Sequence, residues 1–312
     1  MAFYRVPWLI NGASHPAVLA RMLTRHLARG NEGVLEGDDL KVTALTTPSG
    51  NVNVAVGECA IHQRESYPWG GTYYGYNTAT IVKPIAPTAG AARSDLVVAR
   101  VWDPEYPGSS LDPAVDQIID ADVISGVSSS ATTVPVTSPA VSAIPLARVT
   151  LPANTSAVTE AMITDLRKVA NPRRQRDYYT YYPSGTPTDD LGTTSPSWET
   201  WPLGIGRTLA VPAWATKVVV ILTITGVRSN ATIAGLLRLM LGASQVGQNV
   251  AYANDTSRQT MIVAGDLTLP SAMRGTSQAL TPQGNRNGTG GYIYLDVNST
   301  VAMDVEFFES PV

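Results

Sequence analysis

Residues 91–108, AARSDLVVARVWDPEYPG, constrain the fold more than any other stretch of the chain. Leu96, Val98, Arg100 and Trp102 fall on one side of a two-residue period, and Val97, Ala99 and Val101 fall on the other. A strand that is apolar on both sides and rich in β-branched residues needs a layer over each face. Two prolines, which remove ladder donors, and Gly108, which permits a sharp turn, close the run. The phrase returns as residues 144–152, IPLARVTLP, so that Ala99-Arg100-Val101 matches Ala147-Arg148-Val149. The two are predicted as neighbouring strands of one sheet, with everything before residue 168 wrapped around them.

At 312 residues the chain has room for two domains, each with its own core. Charged residues make up only 15%, against about a quarter in an ordinary soluble domain. With 22 prolines and abundant Ser, Thr and Gly, this composition fits turn-rich β modules with much uncharged surface, as in a subunit packed among others. A net charge of −3 gives no broad attraction to nucleic acid or to an anionic membrane. A single cysteine excludes an internal disulfide, and Cys59, inside an alternating segment, reads as a buried thiol. Three histidines without zinc-ligand spacing imply no metal, and no cofactor is expected. The opening MAFYRVPWLINGAS lacks the apolar core and cleavage pattern of a signal peptide, and residues 218–224 are too few to span a bilayer. Assembly in a cytoplasm, without membrane insertion, is expected.

Residues 3–10 form a short aromatic and apolar lead. A helix is predicted over residues 15–28, with Ser14 as N-cap, Pro16 in the first turn and Gly30 as the stop. Val18, Met22 and Arg25, and Leu19, Leu23 and Leu27, recur at helical spacing, while Arg21, Arg25 and Arg29 line a face read as solvated or subunit-facing. Strands are expected over residues 40–45, 52–61 and 78–82. The stretch YPWGGTYYGY at 67–76 is either a sugar-stacking loop or a set of glycine turns with aromatics over a sheet edge. Residues 112–127 read as one helical turn followed by a strand. Asp112, Asp116 and Asp120 lack the alternate acids, glycine and closing Glu of an EF-hand. Residues 125–144 form a Ser/Thr/Pro loop, and residues 155–168 are predicted as a second short helix with Met162, Ile163 and Leu166 inward.

The order and spacing of AARSDLVVARV (91–101), Asp103, YPG (106–108), PLARV (145–149) and ITDLR (163–167), after ING (10–12) and its following helix, resemble the N-terminal module of minor tail proteins from long-tailed bacteriophages of actinobacteria. The resemblance covers about the first 167 residues. It implies a structural virion subunit of the tail tip or baseplate that docks to other phage tail proteins and projects a variable C-terminal part. It favours a homotrimer and supplies no catalytic residues.

The domain layout is therefore a tail-docking module over 1–167, a linker over 168–203 and a C-terminal β-sandwich over 204–312. The linker reading rests on a Pro/Thr/Ser/Gly tract after a basic cluster at 173–176. Within it Tyr178, Tyr179, Tyr181, Tyr182, Trp198 and Trp201 are candidate assembly contacts, and the four tyrosines, costly to leave in water, are expected against a domain or a neighbouring subunit. Beyond it, alternation at 217–227, 236–241, 292–297 and 301–308 is the signature of antiparallel sheets with one face inward. The fold class is mainly β: an N-terminal β-rich module with two short helices, a linker, and a jelly-roll-like antiparallel sandwich.

Catalytic motifs are thin. Residues 204–207, GIGR, are half a dinucleotide fingerprint without its strand and helix. No P-loop and no G-x-S-x-G elbow occur. The pairs Asp103/Glu105 and Asp304/Glu306, two apart on strands, read as solvated faces rather than glycosidase dyads. Five N-x-S/T sequons, at Asn154, Asn230, Asn254, Asn287 and Asn298, read as chance. The expected function is a non-enzymatic structural protein of a virion tail. The alternative is an adhesin whose sandwich binds surface glycans. For that, Trp214, Tyr252, Tyr292 and Tyr294 are the candidate stacking residues, with Asn254, Asp255, Asn285 and Arg286 in nearby polar loops. In the competing reading Trp214 plugs an end of the sandwich and the tyrosines cover its outer sheet.

Overall fold

The computed structural model describes residues 11–12, 14–65, 70–106, 110–137, 140–185, 188–288 and 290–312, without the side chains of Thr188 and Asp189. The aromatic lead at 3–10, residues 67–69 of the tyrosine-rich stretch, and Pro107 and Gly108 lie outside the described residues. The chain is mainly β and divides into two compact units, Met1–Pro172 with Pro311–Val312, and Arg173–Ser310.

Among its described residues the first unit holds one α-helix, α1 (Ala17–Leu27), and the strands β1 (Gly33–Val34), β2 (Val42–Ala44), β3 (Asn51–Val54), β4 (Gly57–His62), β5 (Thr72–Asn77), β6 (Ile81–Pro84), β7 (Arg93–Val101), β8 (Ile119–Val127), β9 (Ser142–Leu151) and β10 (Ile163–Asp165). Its central sheet runs β10-β9-β7-β8, and two three-stranded sheets run β2-β3-β6 and β1-β4-β5. The repeated phrase pairs as expected: β7 and β9 are antiparallel neighbours, with Val97 opposite Ala147 and Ala99 opposite Ile144. Both faces of β7 are covered. Val97, Ala99 and Val101 join Val34, Val52, Val54, Cys59 and Ile61 in the main core. Leu96 and Val98 pack beneath Ala131, Val134 and Val141, so the Ser/Thr/Pro loop is the second cover. Pro145 is tolerated inside β9 because the register shifts there, and Leu146 turns its carbonyl to Leu166 N.

Several expected elements differ. Residues 52–61 are not one strand. The chain breaks before Gly57, whose φ of +147° and contact with Asp39 (a Cβ would lie 2.6 Å from Asp39 Cα) exclude a side chain, and β3 and β4 enter different sheets. The second helix is absent: residues 160–162 make one 3₁₀ turn and then β10, with Ile163 opposite Val149. Edge pairing satisfies β9 backbone groups that a helix would leave open. The cap of α1 is Pro16, not Ser14, and no side chain caps it. Gly30, at φ +75°, ends the helix by donating to Arg25 O at 2.8 Å. Its faces depart from expectation at Arg21, which packs inward, and at Leu23 and Leu27, which are exposed, while Val18, Leu19 and Met22 are half-buried.

The second unit comprises β11 (Arg174–Tyr181), β12 (Thr188–Leu191), β13 (Glu199–Thr200), β14 (Arg207–Ala210), β15 (Lys217–Ser229), β16 (Ile233–Leu241), β17 (Ser244–Asn254), β18 (Gln259–Thr268), β19 (Ser277–Arg286), β20 (Ile293–Leu295) and β21 (Thr300–Phe308). One sheet runs β11-β21-β15-β18, with β20 continuing β21 along the end of β15 and pairing to β12. The other runs β14-β19-β16-β17, with β13 continuing β14 along β19. The hydrogen-bonded pairs β11·β21, β14·β19, β15·β18 and β16·β17 nest first with last and second with next-to-last, which is the jelly roll. Val218, Val220, Leu222 and Ile224 face Leu237, Leu239 and Leu241 across one core. Val297, expected inward, lies exposed in the turn between β20 and β21.

The expected linker over 168–203 is not an extended tether. Residues 174–181 are an edge strand of the jelly roll, and residues 188–191 and 199–200 add β12 and β13. The tyrosines alternate, so Tyr179 and Tyr181 pack on the core while Tyr178 and Tyr182 are 63% and 66% exposed. No helix among the described residues is long and apolar enough to cross a membrane.

Candidate functional site

The motif residues are held by the fold itself. Arg93 donates to the fully buried Asp95 carboxylate through Nε and Nη2, both at 2.8 Å, and Asp95 Oδ1 also accepts from Gly126 N. Arg167, with no exposed side-chain surface, donates to the Asp165 carboxylate and to the carbonyls of Gly37 (3.1 Å), Asp39 (2.5 Å) and Val312 (3.0 Å). Asp103 and Glu105 both meet Arg21, at 3.3 and 3.1 Å, and Asp103 accepts from Tyr73 at 2.7 Å. That bond and burial push the Tyr73 phenol well above its ordinary range. Asp304 and Glu306 on β21 face Arg176 and Arg174 on β11, and Arg176 holds Asp304 below the usual carboxylate range. Burial pushes the Cys59 thiol up to about 12. Among the described residues, no group of three His, Cys, Asp or Glu converges as a metal site.

The candidate glycan residues do not converge. Tyr252 is buried and donates its hydroxyl to Asn285 O at 3.1 Å, so it is no stacking platform. Burial raises its phenol to about 12. Trp214 is half-buried on the jelly-roll core, with the Arg173 guanidinium 5.5 Å from its ring centre. Tyr294 on β20 and Tyr292 just before it remain half-exposed, ring centres 5.9 Å apart and tilted by 52°. Of the polar loop residues, Asn254 and Asn285 are buried, Arg286 turns to the carbonyls of Gly192 and Gly291, and Asp255 is exposed.

The candidate assembly residues also separate. Tyr178 and Tyr182 present surface, whereas Trp201 is 1% exposed in the core, its N–H donating to Pro282 O. Alternation could not signal Trp201, which sits just after the two-residue β13. In unit 1, Tyr74 and Tyr76 form an exposed pair on edge strand β5, with ring centres 6.5 Å apart. Trp198 is half-buried and lies against the Arg238 guanidinium, 4.0 Å from ring centre to charge centre. The alternation over 236–241 turns Arg238 outward from Leu237, Leu239 and Leu241, but nothing in the sequence marks its indole partner, forty residues earlier.

No protein-family model matches the chain, and no curated protein matches it. Among solved structures, BuGH86 in complex with neoagarooctaose is similar at 14% identity and TM-score 0.25, over 87% of this chain and 35% of that one. The chain thus spans about a third of that protein. The VP2 subviral particle of infectious bursal disease virus is similar at 11% identity and TM-score 0.24, over 93% and 82%. The Stig cyclase Fisc from Fischerella sp. TAU is similar at 13% identity and TM-score 0.21, over 44% and 77%. Likeness at this level carries no argument about function.

Proposed function

We propose that the chain is a non-enzymatic structural subunit of a phage virion, part of the tail tip or baseplate, with the first unit docking to other tail proteins. The observation that carries this reading is the fate of the shared motif. Arg93, Asp95, Asp165 and Arg167 are all engaged within the first unit, where they hold sheet edges and loop carbonyls, so the motif maintains a scaffold. Exposed Leu23 and Leu27 on α1, Tyr74 and Tyr76 on β5, and Tyr178 and Tyr182 on or beside β11 suit contacts with neighbours, including copies of the chain, with a trimer favoured. The jelly roll serves viral shells and lectins alike, so it fits both a packing domain and a glycan-binding adhesin and decides between neither. The half-exposed Tyr292/Tyr294 pair is what favours the adhesin as the second reading.

An antibody raised against the chain should label the tail tip of the phage that encodes it, and gradient-purified particles should contain the chain. Absence from purified particles would overturn the proposal. Light scattering of the purified chain at high concentration should give about three times the chain mass, whereas a fixed dimer would exclude the trimer.

A further inference from the structure

The outer face of β16 carries an arginine whose charge meets no acid among the described residues. Arg238 lies opposite Gln283 of β19 and donates from Nε to Gln283 Oε1 at 2.8 Å. Glu199 of β13 pairs with Gly284, which brings the preceding residue, Trp198, to the same sheet from the other side of β19. Its indole then stacks against the guanidinium. One amide and one ring fix the fork, while neither Nη group has an acceptor among the described residues. Arg93, Arg167, Arg173, Arg176 and Arg258 each meet a carboxylate instead. Arg238 is half-buried, and loss of water with no compensating acid lowers its pKa. On β19, two residues beyond Gln283, Asn285 is buried with an Oδ1 that has no donor among the described residues.

A guanidinium stripped of part of its water and left without an anion is an unfinished interaction. Its planar fork matches an oxyanion with two parallel hydrogen bonds. The adjoining indole offers apolar surface over which a pyranose ring can lie. We propose that Arg238, Trp198 and Gln283 form a binding site for an acidic saccharide, in which Arg238 takes the oxyanion of a uronate or a sugar phosphate. The site deepens the attachment role proposed above but needs no virion, so its failure would leave the tail assignment standing, and the reverse holds too.

The test is calorimetric titration of the full chain with glucuronate, glucose 6-phosphate and glucose. At least one anionic sugar should bind in the millimolar range and glucose at least about tenfold more weakly. The preference between the two anions identifies the source of the oxyanion. Arg238→Gln should weaken anion binding about tenfold or more, with Arg238→Lys between it and the native chain. Jelly-roll melting within about 2 °C of native would show that the fold is kept. Should Arg238→Gln not fold, Gln283→Ala frees the guanidinium and should weaken binding in the same direction. Absence of binding by both anions up to about 50 mM, equal binding of glucose, or native affinity in the folded variant would each overturn the site.

Discussion

Replacing Arg167 with alanine should lower the melting temperature of the first unit and leave the jelly roll's own transition in place. The side chain is wholly buried and donates to three carbonyls and one carboxylate. Gly37 is buried, but its carbonyl keeps the Val312 N–H as a donor, so losing the Arg167 bond costs about 0.5–1.5 kcal/mol. Asp39 and Val312 are half-buried and regain part of their hydration. Asp165 is 38% exposed, so loss of that ion pair adds only about 0–1 kcal/mol. With the space vacated by the aliphatic stem, the total is about 3–5 kcal/mol. For a unit of this size that is a fall of roughly 6–20 °C. Arg167→Lys should recover less than half of the loss, since an ammonium on one stem cannot reach Asp165 and the separated carbonyls together. Differential scanning calorimetry of the full chain reads both transitions. A shift below about 2 °C for Arg167→Ala, or native stability in Arg167→Lys, would refute the reasoning.

Burial lowers the His62 imidazole below its ordinary 6.5, against Glu32 and with Arg25 and Arg64 nearby. The folded state therefore binds a proton less readily than the unfolded one, so this stability is full above about pH 6.5 and is lost as pH falls toward the lowered value. Melting curves at several pH values should show His62→Gln with a shallower acid dependence, and an unchanged dependence would contradict it. Cys59 should resist a thiol reagent in the native chain and react once the first unit opens, so modification at the native rate of a free thiol would show that the core is open. Trp201→Ala should destabilise the jelly roll by about 3–5 kcal/mol, read in the second calorimetric transition, whereas a neutral effect would mean that residue 201 belongs to a tether after all.

The repeated ARV phrase and the alternating runs after residue 217 were legible because a strand's two-residue period writes burial directly into sequence. Val218 to Ile224 and Val301 to Phe307 alternate between core and surface as the pattern requires. Elements shorter than a period or two carry no such record. The 155–168 segment has a helical-looking spacing of Met162, Ile163 and Leu166, yet the open edge of β9 pairs with it instead. The region 168–203 reads as a linker because of the Pro/Thr/Ser/Gly tract that follows its tyrosines. Its Tyr179 and Tyr181 nevertheless face inward at period two while Tyr178 faces out. The candidate site was least legible. Arg238, Trp198 and Gln283 come from three separated segments, and only the order of strands around β19 brings them together.

That strand order also places the two ends of the jelly roll side by side. β11, its first strand, pairs along its whole length with β21, its last, so Arg174 lies opposite Phe308. Arg173 closes the junction, donating to Glu309 from Nε at 2.9 Å and Nη2 at 2.5 Å, and its carbonyl accepts from Glu309 N. The chain leaves the first unit at Pro172 and re-enters it at Pro311, where Val312 N donates to Gly37 O and the Val312 carbonyl accepts from Arg167. The jelly roll is therefore an insertion within the first unit. An inserted domain whose ends meet imposes little on its host and can diverge without disturbing it. An insertion joined through adjacent ends is the connectivity that lets the inserted unit change its outer surface without altering the fold of its host.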